Sequence, residues 1–328
     1  MDPSVDPLGG AHPVQLELAA EAQDFEREVV RALRAAGGDE LVQRAERAPD
    51  TRQQLIEPVL GALGAWELSP RRDPVELEAA AALCRGAGYW ATPYPVAECL
   101  ARPAGCDGLL VVADTEPAAA VAGIDLHWAT VALDGSVGTA TALPVAEPVR
   151  DSAFVTGLQV RPADSAVRDG PLDLALGLTL SCWTLLGMLD RAMELVRGHV
   201  SVREQFGRPL AQFQGVQFQL TDAEVERRGV DVLARYALWS IQTGRPEAVE
   251  DALAVRLAAL DAADTVFRTA HQLHGASGFC DETTVSWLSR YSLPLRRLPL
   301  GRTATEQSLT RRIGRRGLAG LFSDPAGV

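Results

Sequence analysis

Residues 174–189 read LALGLTLSCWTLLGML, an apolar run with no charged residue, and no other stretch limits the fold as strongly. The run is shorter than the roughly 20 residues needed to cross a membrane, so it is expected to be a deeply buried helix with other elements packed around it. Pro171 suits the first turn of that helix. Leu185, Met188, Leu189, Ala192, Leu195, Val196 and His199 continue one face of it at helical spacing. The same periodicity predicts a second long helix over 213–243, a third from Pro246 to about 274 and a last one over 303–320. Short links between them imply antiparallel neighbours, hence a four-helix bundle.

Upstream, residues 1–13 are acidic and rich in Pro and Gly, and are expected to be disordered rather than a leader peptide. Helical spacing over 14–36 ends at Gly37-Gly38, and further helices are expected over 39–47, 51–64 and 74–86. The texture changes near 107, where GLLVVAD, DLHWATVALDG, SVGTATALPV and SAFVTGLQVR are short, rich in Val and Thr, and separated by turn residues. Asp134-Gly135 is a two-residue hairpin signal. The expected architecture is mainly α: an N-terminal helical domain (1–106), a small antiparallel β-domain (107–164) and a C-terminal helical bundle (165–328).

Charge and residue usage narrow the function. The formal net charge of -12 argues against binding a nucleic-acid backbone. All 31 basic residues are arginine, and the lack of lysine excludes P-loop nucleotide hydrolases, protein kinases and Schiff-base enzymes, which need an amine. The five cysteines form no C-x-x-C pair and read as reduced thiols in a cytosolic protein, without a disulfide framework or a zinc ribbon. No membrane association is expected.

Two segments carry the candidate chemistry. In HQLHGASGFCDE (271–282), His271 and His274 are three apart on a helix but have no third ligand at suitable spacing, so no metal site is expected. A serine elbow is equally disfavoured, because Phe279 stands where its last glycine belongs. In VREQFGRPLAQFQ (202–214), Gly207 and Pro209 break a helix beside Arg203, Gln205 and Phe206, a cation and an aromatic suited to a diphosphate and a flat ring. An ordinary helix–turn–helix with an exposed arginine is the plain alternative.

These two segments, in this order after helices and a small β-region, resemble those of the acyl-CoA dehydrogenase family, flavoproteins that introduce an α,β double bond into acyl thioesters. The resemblance implies that Arg203 contacts the FAD pyrophosphate with Gln205 and Phe206 beside the cofactor, often across a subunit boundary. It implies that Gln272, Gly275 and Ala276 lie along the ADP portion, with Ala276 where the family usually has a second glycine. Glu282 stands where many members carry the carboxylate that removes the substrate's α-proton. Thr305 and Glu306, in GRTATEQSL, match a flavin-contacting turn.

The β-domain is about half the family's usual length, and Thr115-Glu116-Pro117 lacks the residues that complete the family's flavin loop. This shortened form resembles the small subunits of bacterial heteromeric acyl-CoA dehydrogenases, in which two unlike chains share one site and often act on bulky ring-containing thioesters, including steroid side-chain fragments. The resemblance thus implies FAD, held alone or shared, an acyl-CoA or acyl-carrier-protein thioester, a homologous partner in a hetero-oligomer or a homodimer, and an electron-transferring flavoprotein as acceptor. Two alternatives stand beside it: a non-catalytic structural or binding subunit, and a fold turned to other chemistry such as flavin-dependent oxygenation or cofactor-free cyclisation.

Overall fold

The computed structural model describes residues 17–143, 153–163 and 169–317. The expectation for 1–13, parts of the β-region and the end of the last helix, 318–320, lie outside these.

Four helices and a short fifth come first: α1 (Ala20–Ala36), α2 (Asp39–Arg47), α3 (Arg52–Gly61), α4 (Pro74–Tyr89) and α5 (Val96–Leu100). Gly37, at φ 136°, stops α1 as expected. The Asp73 carboxylate caps α4 by accepting from the Val75 and Glu76 amides, with Pro74 at the first helical position.

The strands that follow are β1 (Gly108–Val112), β2 (Ala118–Ala119), β3 (Trp128–Ala132), β4 (Val137–Ala142) and β5 (Thr156–Pro162), in the sheet order β1-β3-β4-β5-β2. The sheet is small, but it is mixed rather than purely antiparallel, because β1 and β3 pair in parallel, Gly108 opposite Trp128. The chain makes a crossover through 113–127 before β3 instead of turning straight back, which is what a parallel pair requires. β3 and β4 form the expected hairpin. Its loop has three residues rather than two: the Ala132 amide donates to Ser136 O at 2.8 Å, with Gly135 at φ 91°.

The remainder is helical: α6 (Gly170–Val202), a two-strand turn β6 (Glu204–Gln205) and β7 (Arg208–Pro209), α7 (Gln214–Gln242), α8 (Ala248–His274), α9 (Thr284–Arg297) and α10 (Arg302–Arg316). α6 is long and apolar enough to span a membrane, and 83% of its apolar window is buried inside the protein. α7, α8 and α4 pack around it, and α10 lies along α8. α9 was not expected from the sequence. It contains Pro294 and the run TTVSWL, which favours strand over helix, and its contacts with α6 and α8 override that local preference.

α4 and α6 cross where each presents a glycine to the other's backbone. A Cβ on Gly88 would lie 1.9 Å from Thr184 O, and one on Gly187 would lie 1.9 Å from Arg85 O. Beside this crossing, Arg85 pairs with Asp190 (2.6 Å) and Asp231 (3.2 Å), and Arg227 reaches Asp190 (2.7 Å). α4, α6 and α7 are thereby tied by a largely buried network in which every guanidinium meets a carboxylate.

Candidate functional site

The two sequence segments meet at one end of the bundle. His199, in the last turn of α6, stacks on His274, the last residue of α8, with ring centroids 4.3 Å apart. Burial first, and then the adjacent His274 and Arg203, pushes the His199 ring below its ordinary value. Arg203 follows α6 directly, and Gly275 follows α8 directly. The stack therefore sets the REQFGRP turn beside the HGASGF turn.

At this end several groups are open. Arg203, Gln205, Phe206, Gln272, Gly275 and Ala276 are all exposed. Arg203 has no ion-pair partner among the described residues, whereas Arg191, Arg227 and Arg228 each hold a carboxylate. Gly275 has φ 63°, and a Cβ there would meet nothing within 4 Å. Only glycine takes that backbone angle without strain, and its open face lets a ligand approach main-chain atoms closely. An unpaired guanidinium next to an open glycine turn suits a diphosphate, so the residues present fit the ADP part of FAD.

The β6–β7 turn places Phe206 at φ 53° and Gly207 at φ 79°, a tight hairpin turn with positive φ at both central residues. Phe206 is 92% exposed, edge-on to Phe213 with centroids 6.2 Å apart. Arg208 lies over the other ring, 4.1 Å from the Phe213 centroid. Val202, Phe218 and Phe279 are also large, apolar and exposed.

The other singled-out residues fall elsewhere. His271 packs against Phe279, with ring centroids 4.5 Å apart, and its Nδ1 lies 3.0 Å from Gly278 O. Cys280 is exposed, its thiol donating to Ala276 O at 3.5 Å. Its neighbours form a one-sided surface turn rather than a covered pocket. Asp281 faces solvent and pairs with Arg290 at 3.3 Å. Glu282 is exposed in the turn before α9 and lies outside the lining of the internal cavity described below.

Thr305 and Glu306 sit in the first turns of α10, within the helix expected over 303–320. Thr305 is 1% exposed and donates to Gly301 O at 2.9 Å, while Glu306 pairs with Arg302 at 3.0 Å. Arg302 meets Asp261, and Arg312 meets Glu250, so α10 runs antiparallel to α8. At 1.5 Å per residue, Thr305 is thus roughly 20 Å along α8 from Gln272. Among the described residues no group of three or more His, Cys, Asp or Glu could hold a metal ion.

A second feature escaped the sequence reading. Between α5, β1, β2, α6 and the end of α9 lies a cavity of about 120 Å³, lined by Arg52, Tyr94, Glu98, Ser181, Arg256 and Tyr291 among apolar residues. The one available signal was a lone acid inside the apolar stretch YPVAECLA.

Comparison with known proteins bears on the bundle directly. Residues 174–316, which hold both turns, match the model for the acyl-CoA dehydrogenase C-terminal domain. The C-terminal bundle is thus similar to the acyl-CoA dehydrogenase C-terminal domain. It is 29% identical over 240 residues to the acyl-CoA dehydrogenase FadE27 of Mycobacterium tuberculosis, a match covering 67% of this chain and 57% of that one. Other curated relatives are matched over 23–32% of their own lengths. Among solved structures, the chain shares its fold with the ChsE4-ChsE5 complex of M. tuberculosis (TM-score 0.72, 18% identity), covering 93% of this chain and 100% of that one. It also shares it with the Tcur3481-Tcur3483 steroid ACAD (TM-score 0.74, 17% identity), covering 92% and 100%. The family-matched segment is thus the bundle that carries the open turns.

Proposed function

We propose that this chain is one subunit of a flavin-dependent acyl thioester oxidoreductase, supplying from the open end of its bundle the diphosphate- and adenosine-gripping part of a FAD site that a homologous partner chain completes. The observation that carries this reading is the His199–His274 stack, which brings the unpaired Arg203 next to the open Gly275 turn. Arg203 would bind the diphosphate, Gln272, Gly275 and Ala276 would lie along the adenosine side, and Gln205 and Phe206 would reach across the subunit boundary. The partner is supported by Phe206, which is held out at an unfavourable backbone angle and left largely exposed. The paired chains named for two of the structural neighbours agree with this.

When bound, FAD supplies two-electron chemistry, accepting hydride from the β-carbon of a thioester. On this reading Glu282 removes the α-proton in the assembly. A carboxylate exposed in water is a weak base for that task, so a partner surface must cover and desolvate it. A CoA or carrier-protein thioester is the proposed substrate and an electron-transferring flavoprotein the proposed acceptor. A cytosolic location is supported by the five cysteines, which include no C-x-x-C pair.

Co-expression with a homologous chain, followed by visible spectroscopy and a dye-reduction assay with acyl-CoA thioesters, tests the reading. Flavin absorbance in the complex, lost in Arg203→Ala, is the expected result. Absence of flavin from both complex and isolated chain overturns it. The exposure of Glu282 outside the cavity favours a second reading, a binding subunit whose partner carries the base. Full turnover in a flavin-loaded Glu282→Gln complex selects that second reading, and loss of turnover with flavin retained rejects it.

A further inference from the structure

Four large exposed apolar side chains, Phe218, Val225, Val232 and Leu233, lie on α7, and no other helix among the described residues carries more than one. The inner face of α7 packs on α6 and α8 through Ala223, Arg227, Val230, Ala234 and Ala237, all buried. At about 100° per residue, the opposite face is centred on Val225, with Phe218 one heptad before it and Val232 one heptad after. These three lie within about 40° of one another around the helix axis. Each is more than half exposed. An apolar row repeated every seven residues is the pattern by which one helix packs along another.

The row is complementary to a second copy of itself. With two α7 helices antiparallel about a two-fold axis level with Val225, Val225 meets Val225 of the second copy, and Phe218 meets its Val232 at either end. A ring then stands against a smaller branched side chain at both ends, so the helices keep one separation, about 8–10 Å as in packed helices generally. A parallel pair would put Phe218 on Phe218 and Val232 on Val232, and that unequal bulk would splay the helices. The flanks agree with the antiparallel arrangement. Asp222 comes level with Gly229 of the copy and Arg228 with its Thr221, so no like charges are opposed, and Arg228 is already paired with Glu224 at 2.9 Å. Gln214 comes level with Tyr236, an amide and a phenol that can hydrogen-bond at each outer end.

We propose that, in the absence of its partner, two copies of this chain pair through α7 as an antiparallel two-fold helix contact centred on Val225. This pairing goes beyond the flavin reading and does not depend on it. In the proposed assembly the homologous partner takes the same face, so the two pairings exclude each other. A single helix face offers less than the roughly 800 Å² per partner of a standard interface, so the self-association is reversible and in the micromolar range.

Sedimentation of the isolated full chain over a range of micromolar concentrations is expected to show a monomer–dimer equilibrium. Val225→Asp, which sets two carboxylates against each other on the axis, should weaken the dimer about tenfold or more while leaving the circular dichroism of the chain unchanged. Disulfide trapping reads the geometry, in a Cys280→Ser background that removes the exposed native thiol. Val225→Cys should cross-link to its own copy, and Phe218→Cys should cross-link to Val232→Cys when the two variants are mixed. Phe218→Cys alone should not, because its two copies lie about 21 Å apart along the seam at 1.5 Å per residue. A monomer at every concentration, a dimer indifferent to Val225→Asp, or cross-linking of Phe218→Cys to itself overturns the proposal. If Val225→Asp fails to fold, the pattern of the three cross-links decides the matter. In the co-expressed complex the Val225→Cys cross-link should disappear, and its persistence there overturns the exclusion of one pairing by the other.

Discussion

Phe206 occupies the first central position of the β6–β7 turn with φ 53°, a region where a bulky L-residue is strained by about 1–2 kcal/mol. Within this chain only the edge-on contact with Phe213 offsets that strain, since the ring is 92% exposed. Asparagine is the favoured residue for that position before glycine, so Phe206→Asn is expected to stabilise the isolated chain by about 1 kcal/mol in urea unfolding while weakening assembly with a partner. A loss of stability would show instead that the ring packs against this chain. The same residue shows how far a site can be read from sequence. Arg203, Gly207 and Gly275 were legible because a helix break and a glycine stop are local signals. Glu98 was not, because a lone acid in a helical stretch reads as solvated until long-range packing buries it. The burial of Thr305 was hidden for the same reason: burial is set by which neighbours arrive from elsewhere in the chain, and no periodicity reports that.

At the level of elements, α6 is positioned by its reciprocal approach to α4. Gly187→Ala would drive a methyl group into Arg85 O, so it is expected to lower stability by about 2 kcal/mol or more. Gly229→Ala provides the control. It lies exposed in the middle of α7 with nothing within 4 Å of the added methyl, so it should raise stability by roughly 0.5–1 kcal/mol. Chemical denaturation of the pair checks the contrast, and equal effects would refute the close-approach argument. The long helices α6, α7 and α8 were readable because the apolar period of 3.6 persists over many turns. α9 was not, since its β-branched residues and Pro294 oppose the state that its neighbours impose. The parallel pairing of β1 with β3 was equally hidden, because strand direction depends on where the intervening crossover is laid down, not on the composition of either strand.

For the molecule as a whole, the outer face of α7 continues the open end of the bundle as an apolar stripe. Phe218, Val225 and Val232 follow one another at intervals of seven residues, which keeps them on one side of the helix, and they are 59%, 62% and 54% exposed. Together with Phe206 and Phe279 they form a surface more apolar than a freely solvated helix needs, in a chain whose net charge of -12 otherwise favours solubility. In the proposed assembly this stripe is covered by the homologous partner, and the cofactor-facing turn lies at its end. Phe218→Asp combined with Val225→Asp should leave the isolated chain folded, because exposed helix positions tolerate substitution within about 0.5 kcal/mol each. The same double variant should lose co-purification with the partner and, with it, bound flavin. Retained assembly with lost flavin would move the interface off α7 while keeping the turn as the cofactor contact, and retained assembly with retained flavin would remove α7 from both roles.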